Sequence, residues 1–387
     1  MKILSKNAKL SGSISVPGSK SHTIRACLFA ALANGESHIL NPLESADCLG
    51  ALDLIKNFGC KVEVRDDVWI INGIGSHWKQ PSFVVDVKNS GTLLHFVTGI
   101  LSTISGYSVI TGDKSICTRP IQEQLRGLEE LGAKAFTTRD SIDAPPVIIN
   151  GPVKAGTAHL TGRLSQHVSG ILMAGALTMG KTRIELSDPK EIPFAKMTIS
   201  WLNSVGINVD YDKKDFKWLE IEGPNEFTTI SKAMPSDWEG VAFPLAAAVL
   251  TGSEITIDNI DISKTQGDRE IVNVLKSMGA NIEINEEQCK LYVHKSNELN
   301  GITANLSNYP DALPMLSVVA SFANGVSRFT DIGICRLKET DRIALMNKEL
   351  TKLGVKVVEG QDYLEIHGCK GVGMHGGEVE SYDDHRI

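Results

Sequence analysis

Six short segments bring together side chains able to hold anions. They read PGSKSHTIR (17–25), KNSGTLLHF (88–96), GRLSQHVSG (162–170), PSDWEGVAF (235–243), YPDALPML (309–316) and YDDHRI (382–387). The first five each lead into a small-residue apolar stretch expected to be a buried helix. The unpaired N–H groups and dipole of a helix start favour anions there. Ordinary capping accounts for Ser21, Ser90 or Asp237 taken singly. It does not account for Lys20, Arg25 and Arg386, since cations at that end oppose the dipole. Two further charged segments are CTRPIQEQL (117–125) and RLKETDRIALM (336–346). Arg119 stands just before Pro120, where a helix is expected to start. In RLKETDR the i, i+1, i+4 spacing of Lys338, Glu339 and Arg342 predicts Lys338 and Arg342 on one helical face. GSKS resembles the end of a P-loop, but the two glycines that motif needs are Ile14 and Ser19 here, so no Walker-type site is implied.

The elements that must position these groups are set by an internal repeat. An apolar residue, Gly, a small or apolar residue and a strand recur as FGCKVEV (Gly59), LGAKAFT (Gly132), VGINVDY (Gly206), MGANIEI (Gly279) and LGVKVVE (Gly354), in steps of 73, 74, 73 and 75. A second series ends the small-residue helices at Gly35, Gly106, Gly180, Gly252 and Gly325, in steps of 71, 74, 72 and 73. Each Gly falls where a helix stops and a left-handed residue is favoured. Each unit reads as strand, buried small-residue helix, strand, outer amphipathic helix and further strand. The arithmetic puts a sixth helix-ending Gly near about 398. Five whole units and the start of a sixth are therefore expected, with roughly 40 residues to follow.

Composition bounds the function class. The 387 residues are 42% apolar and 22% charged, with Lys+Arg 39 against Asp+Glu 46 and a net charge of −7. That excludes disorder and argues against a general nucleic-acid or membrane-surface binder. No apolar run reaches the roughly 18 residues of a membrane span, and the N-terminal apolar run is too short for a signal peptide. Seven Cys (27, 48, 60, 117, 289, 335, 369) form no C-x-x-C pair, as expected of reduced thiols in a cytoplasmic protein.

PGSKSHTIR, NSGT, TGDKSICTRPI, SQHVSGILMAGAL, QGDRE, YPDALP, RLKETDR and DDHRI occur in this order along essentially the whole chain. In this the chain resembles the 5-enolpyruvylshikimate-3-phosphate synthase family (3-phosphoshikimate 1-carboxyvinyltransferases). The resemblance implies an α/β fold of two globular domains, each of three repeated α/β units around buried helices: the enolpyruvyl transferase fold, or inside-out α/β barrel. The sixth unit is expected to be incomplete. The domains are expected at 19–234 and at 1–18 plus 235–387.

The resemblance also implies transfer of the enolpyruvyl group of phosphoenolpyruvate to the 5-hydroxyl of shikimate 3-phosphate. Lys20, Ser21, Arg25, Ser165, Gln166, Asp311 and Lys338 match shikimate 3-phosphate positions. Lys20, Gly91, Arg119, Gln166, Arg342 and Arg386 match phosphoenolpyruvate positions. Asp311 matches the proton acceptor for the attacking hydroxyl, and Glu339 the acid/base at the methylene carbon, with Lys20 beside them as catalytic. Six cations, Lys20, Arg25, Arg119, Lys338, Arg342 and Arg386, suit two phosphates and two carboxylates. Two carboxyl groups suit an addition followed by an elimination. No metal or organic cofactor is called for, and the His spacing fits no zinc site. Nucleic acid and membrane are not expected partners, and a monomer is expected.

Some positions depart from the family pattern. Leu164 precedes Ser165-Gln166 where a second Ser is usual, and His95 stands where Arg is common. Residues 187–198 are longer than usual, with Ser187 at the position that can reach the substrate phosphate and Phe194 for Tyr. Ile334 stands where Asn can bind substrate, and a family Lys falls beyond Ile387. The rival readings are the sister transferase acting on UDP-N-acetylglucosamine and a truncated homologue that binds ligand without turnover. GSKS and RLKETDR favour the shikimate enzyme.

Overall fold

The computed structural model describes Leu4, Lys6 and residues 8–76 and 78–387. The chain divides into two compact units, unit 1 (Met1–Pro17 with Pro235–Ile387) and unit 2 (Gly18–Met234).

The first strand, β1 (Ser11–Ser15), belongs to unit 1. Unit 2 begins with α1 (Lys20–Leu32), β2 (Asn34–Leu40), α2 (Ala46–Asn57), β3 (Lys61–Arg65) and β4 (Val68–Ile74). It continues with β5 (Val85–Asp86), α3 (Gly91–Leu101), β6 (Gly106–Thr111), α4 (Gln122–Glu130), β7 (Lys134–Thr137) and β8 (Val147–Gly151). Then come β9 (Thr157–Leu160), α5 (Ser165–Leu177), β10 (Gly180–Leu186), α6 (Ile192–Ser204), β11 (Val209–Tyr211) and β12 (Trp218–Gly223), and finally β13 (Ser231–Ala233). Unit 1 resumes with α7 (Trp238–Thr251), β14 (Glu254–Asp258), α8 (Ile271–Met278), β15 (Ile282–Asn285) and β16 (Lys290–Val293). It ends with β17 (Thr303–Asn305), α9 (Leu313–Ser321), β18 (Asn324–Thr330), α10 (Arg342–Lys352), β19 (Lys356–Glu359) and β20 (Tyr363–Cys369).

Among the described residues there are five four-stranded sheets on one plan. In β5-β6-β8-β7, β5 and β6 run parallel on either side of α3, and β8 pairs antiparallel with both β6 and β7. The other four are β13-β2-β4-β3, β11-β12-β10-β9, β1-β14-β16-β15 and β17-β18-β20-β19. The repeat glycines sit where the helices hand over to strands. Gly59, Gly132, Gly206, Gly279 and Gly354 have φ from +87° to +109°, a region that penalises any side chain.

Two first strands are exchanged relative to the linear repeat. β1 precedes α1 in sequence but pairs in parallel with β14, which follows α7. β13 precedes α7 but pairs in parallel with β2, which follows α1. Each unit is thus completed by a strand from the far side of a crossing between units.

Burial separates the two helix kinds. From His22 to Leu32 every α1 residue is buried, as is every α3 residue from Thr92 to Leu101. α3 packs on both α1 and α5. Its approach to α5 is close because both faces are small: a Cβ on Gly99 would lie 2.0 Å from the Gly170 carbonyl oxygen, and one on Gly170 would lie 2.5 Å from that of His95. α7 differs from the expectation of full burial, whereas α9 has no exposed residue. The two helices pack on one another, and Phe243 in α7 lies exposed at 42%. Each unit has its own hydrophobic core, built on α1, α3 and α5 in unit 2 and on α7 and α9 in unit 1.

Candidate active site

In unit 2 the helix starts gather the expected groups. Lys20 and Ser21 are the first two residues of α1, so neither precedes the helix, and the capping position falls to Ser19, which makes no side-chain cap. Ser90 does cap α3, its hydroxyl accepting from the Leu93 amide at 3.2 Å. Lys20 Nζ lies 3.5 Å from Asp47 Oδ2. Arg25, one turn on, is buried and ringed by neutral acceptors. Its Nε donates to Thr198 Oγ1 at 3.0 Å, and its two terminal nitrogens donate to the carbonyls of Ser21 (2.9 Å) and Phe194 (3.2 Å). Its guanidinium also lies 5.0 Å from the centre of the Phe96 ring. Burial pushes Arg25 down to about 9, which leaves it charged at neutral pH without a carboxylate among these contacts.

Gly91, Arg119 and Gln166 converge. A Cβ on Gly91 would stand 3.4 Å from Gln166 Oε1 and 3.8 Å from a terminal nitrogen of Arg119. Gln166 is oriented by donating to Thr92 Oγ1 at 3.2 Å. Ser165 is held by Glu191. Its hydroxyl and amide both donate to Glu191 Oε2, at 2.9 and 3.2 Å. Glu191 is buried, with φ +49°, at the start of α6. The long 187–198 segment therefore serves Arg25 and Ser165 through Phe194, Thr198 and Glu191. Ser187 lies instead on an outer groove beside Glu185, Lys217 and Trp218, with its carbonyl accepting from Lys217 Nζ at 2.6 Å.

His95, at the position where Arg is common, is buried against His167 with ring centres 4.8 Å apart, and its Nδ1 meets Gln124 Oε1 at 2.7 Å. Burial, then His167, hold it well below the usual histidine range, so it stands neutral.

In unit 1 the expected acid, base and cations form one network. Asp311 Oδ1 meets a terminal Arg342 nitrogen at 2.5 Å and Lys338 Nζ at 3.5 Å. The other terminal nitrogen of Arg342 meets Glu339 Oε2 at 2.6 Å, and its Nε meets Asp384 Oδ2 at 2.9 Å. Burial alone would lower the Arg342 pKa, but Asp311, Glu339 and Asp384 outweigh it and raise it above the ordinary arginine value. Lys338 and Glu339 are not helical, contrary to the spacing argument. They lie between a 3₁₀ turn at Gly333–Leu337 and α10, which begins at Arg342 after its Asp341 cap. A bent, non-helical link rather than a shared helix face joins Lys338 to Arg342, both of which meet Asp311. Arg386 pairs with Glu239, and its amide donates to Asp384 Oδ1 at 2.9 Å.

The cations are not bare in this structure. Lys20, Lys338, Arg342 and Arg386 already meet carboxylates, and Arg25 meets neutral oxygens. The acids that do this include Glu239 and Asp384, to which the motifs assign no role. DDHRI contains Asp384, and the contacts with Arg342 show what it holds.

The fold, with repeated βαβαββ units around buried helices, is that of the enolpyruvyl transferases. The chain can be superposed on such a transferase, NikO from Streptomyces tendae, with a TM-score of 0.73 at 16% identity, over 93% of this chain and 82% of that one. The family model for EPSP synthase (3-phosphoshikimate 1-carboxyvinyltransferase) matches residues 4–387, and the chain belongs to that family. It is 37% identical to the 3-phosphoshikimate 1-carboxyvinyltransferase of Ruminiclostridium cellulolyticum over 99% of this chain and 88% of the relative. Identity to that of Methanococcus aeolicus is also 37%, over 100% and 90%. EPSP synthase from Acinetobacter baumannii superposes with a TM-score of 0.80 at 29% identity, over 100% of this chain and 89% of that one. Among the described residues no helix is long and apolar enough to cross a membrane, and no three His, Cys, Asp or Glu side chains group as metal ligands.

Proposed function

We propose that the chain transfers the enolpyruvyl group of phosphoenolpyruvate to the 5-hydroxyl of shikimate 3-phosphate and releases phosphate, in the cytoplasm. Family membership over residues 4–387 carries the reading. The network around Arg342 supports it chemically, because a base, an acid/base and two cations occupy one place in unit 1. Asp311 takes the hydroxyl proton as the 5-oxygen bonds to C2 of phosphoenolpyruvate, and Glu339 delivers a proton to C3. In the second half Glu339 takes a proton back from C3, the double bond re-forms, the C2–O bond to phosphate breaks, and the proton held by Asp311 passes to solvent. Arg342, Lys338 and Arg386 offset the anionic charge. In unit 2, Lys20, Ser21, Arg25, Ser165 and Gln166 are assigned to shikimate 3-phosphate. Gly91 and Arg119, with Lys20 and Gln166, are assigned to phosphoenolpyruvate. Gly91 leaves room beside Gln166 and Arg119 that a side chain would narrow.

The test is phosphate release from phosphoenolpyruvate with shikimate 3-phosphate or UDP-N-acetylglucosamine as acceptor. Release is expected only with the first, and release with the UDP-sugar alone would overturn the assignment. Asp311→Asn and Glu339→Gln are each expected to abolish turnover while ligand binding by calorimetry survives. Wild-type rates in both variants would remove them from these roles.

A further inference from the structure

One buried carboxyl in unit 1 has no part in the reaction as described. Asp268, in the 3₁₀ turn Gly267–Glu270, is 3% exposed, and its Oδ1 has no hydrogen-bond partner. The turn that carries it is firmly anchored. The Gln266 side chain accepts from the Trp238 amide at 3.1 Å and donates to Ser236 O and Asp261 Oδ2, both at 2.8 Å. Arg269 lies over the Trp238 ring at 6.0 Å and meets Glu286 at 2.5 Å. Asp268 shares a cavity of about 10 Å³ with Asp311, Glu239, Arg386, Trp238 and Met315. That is about the space of one water, and the lining offers the two to four polar partners a buried water needs.

We propose that Asp268 is a positioning residue for Asp311, tied to it through a single water held in their common cavity. The inference rests on Asp311 as the base of the proposed reaction. A buried carboxyl facing acids is driven to keep its proton. Burial first, then Asp311 and Asp237, push Asp268 well above the usual carboxylate range, and Lys338 opposes them only in part. The groups facing it are Asp311, Asp237, Glu239, Lys338 and Arg386, with Arg269 and Glu270 on its own turn. A neutral Asp268 acts as a donor. Through the water it stabilises the Asp311 carboxylate from the cavity side, while Lys338 and Arg342 hold Oδ1. Three directions then fix that carboxylate toward the substrate hydroxyl.

The test combines infrared difference spectra with pH–rate profiles. The spectrum of wild type minus Asp268→Asn at neutral pH is expected to show the C=O stretch of a protonated carboxyl, and that band is expected to shift in an Asp311→Asn background. No band, or a band indifferent to Asp311→Asn, overturns the proposal. In phosphate-release kinetics Asp268→Asn keeps a neutral donor, so the acid limb of kcat is expected to stay in place. Asp268→Ala is expected to move that limb to higher pH and to lower kcat about tenfold, the scale of one hydrogen bond to a charged group, with both KM values unchanged. A limb that moves to lower pH in Asp268→Asn marks an ionised Asp268 and overturns the proposal, as does a wild-type limb in Asp268→Ala. Should Asp268→Ala fail to fold, the infrared arms decide alone. Should wild type release no phosphate, the functional reading fails, and the infrared band still decides the tie to Asp311.

Discussion

Arg25 and Arg342 are both buried, in opposite electrostatic surroundings. Arg342 sits among Asp311, Glu339 and Asp384, whereas Arg25 meets only neutral oxygens in its hydrogen bonds. A buried cation without a counter-charge costs stability that an arriving anion recovers. Arg25→Met keeps the apolar stem, and its old acceptors retain partners: Ser21 and Phe194 carbonyls lie within helices, and Thr198 pairs with Ser169 at 2.8 Å. The ligand-free melting temperature is therefore expected to hold or rise. The KM for shikimate 3-phosphate is expected to rise at least about tenfold, the scale of hydrogen bonds to a charged group. A fall of many degrees in thermal denaturation would make Arg25 a structural residue instead. Arg342→Met leaves three carboxylates facing one another, and a loss of about 3–5 kcal/mol in urea unfolding is expected. That loss should shrink as pH falls through the carboxylate range, because protonation removes the repulsion. The single motifs made these two residues legible, since Arg25 and Arg342 stand at fixed spacings from GSKS and Lys338. Glu191, Asp268 and Asp384 were not legible as partners, because each meets its neighbour through chain reversals that carry no periodic signal.

At the scale of elements, the small-residue helices are the feature that sequence pattern read best. Gly99 and Gly170 show why. They set the distance between α3 and α5, and with it the place of Gly91 and Gln166 at the helix starts. A Cβ on Gly170 would meet the backbone oxygen of His95 at 2.5 Å and Gln124 Nε2 at 2.1 Å, and backbone cannot yield as a side chain can. Gly170→Ala is expected to cost about 1–3 kcal/mol of stability, readable as a lower urea midpoint. An unchanged midpoint would show that α5 can shift. The outer helix α4 adds a pH dependence. Burial favours the neutral form of Glu123, but hydrogen bonds from His167 and Thr161 outweigh it and hold its pKa at about 2, against 4.5 ordinarily. A carboxyl lowered in the fold contributes stability above its unfolded pKa and loses it as pH falls toward the folded one. Between about pH 5 and pH 2, wild type should lose stability more steeply than Glu123→Gln. Parallel melting curves for the two proteins across that range would contradict the role given to His167 and Thr161. The amphipathic helices are legible by their charges, but the bent link at 338–341 is not. The i, i+4 spacing of Lys338 and Arg342 does not distinguish a helix from such a link.

At the scale of the whole molecule, the exchanged first strands decide what can fold alone. A linear repeat assigns β1 to the sheet of β2 and β13 to the sheet of β14. The short strands SGSIS and SKA carry too little pattern to say otherwise. The observed pairing does the reverse. Ser231, Lys232 and Ala233 pair with His38, Ile39 and Leu40, so the contiguous stretch 18–234 contains all the strands of its three sheets. Its core also lies within that stretch. A fragment of residues 18–234 is therefore expected to unfold cooperatively with native-like circular dichroism. A fragment ending at 227 loses β13 and leaves the β2 edge unpaired, which removes ladder hydrogen bonds and opens a surface prone to association. It is expected to show a lower urea midpoint and concentration-dependent aggregation. The complementary chain 235–387 without residues 1–17 leaves one edge of β14 open in the same way, since β1 normally covers it from Ser11 to Ser15 while β16 holds the other edge. A peptide carrying residues 8–17 should restore its midpoint, and the same peptide should do nothing for the 18–227 fragment. Rescue of the second rather than the first would mean that the strands follow the linear repeat after all.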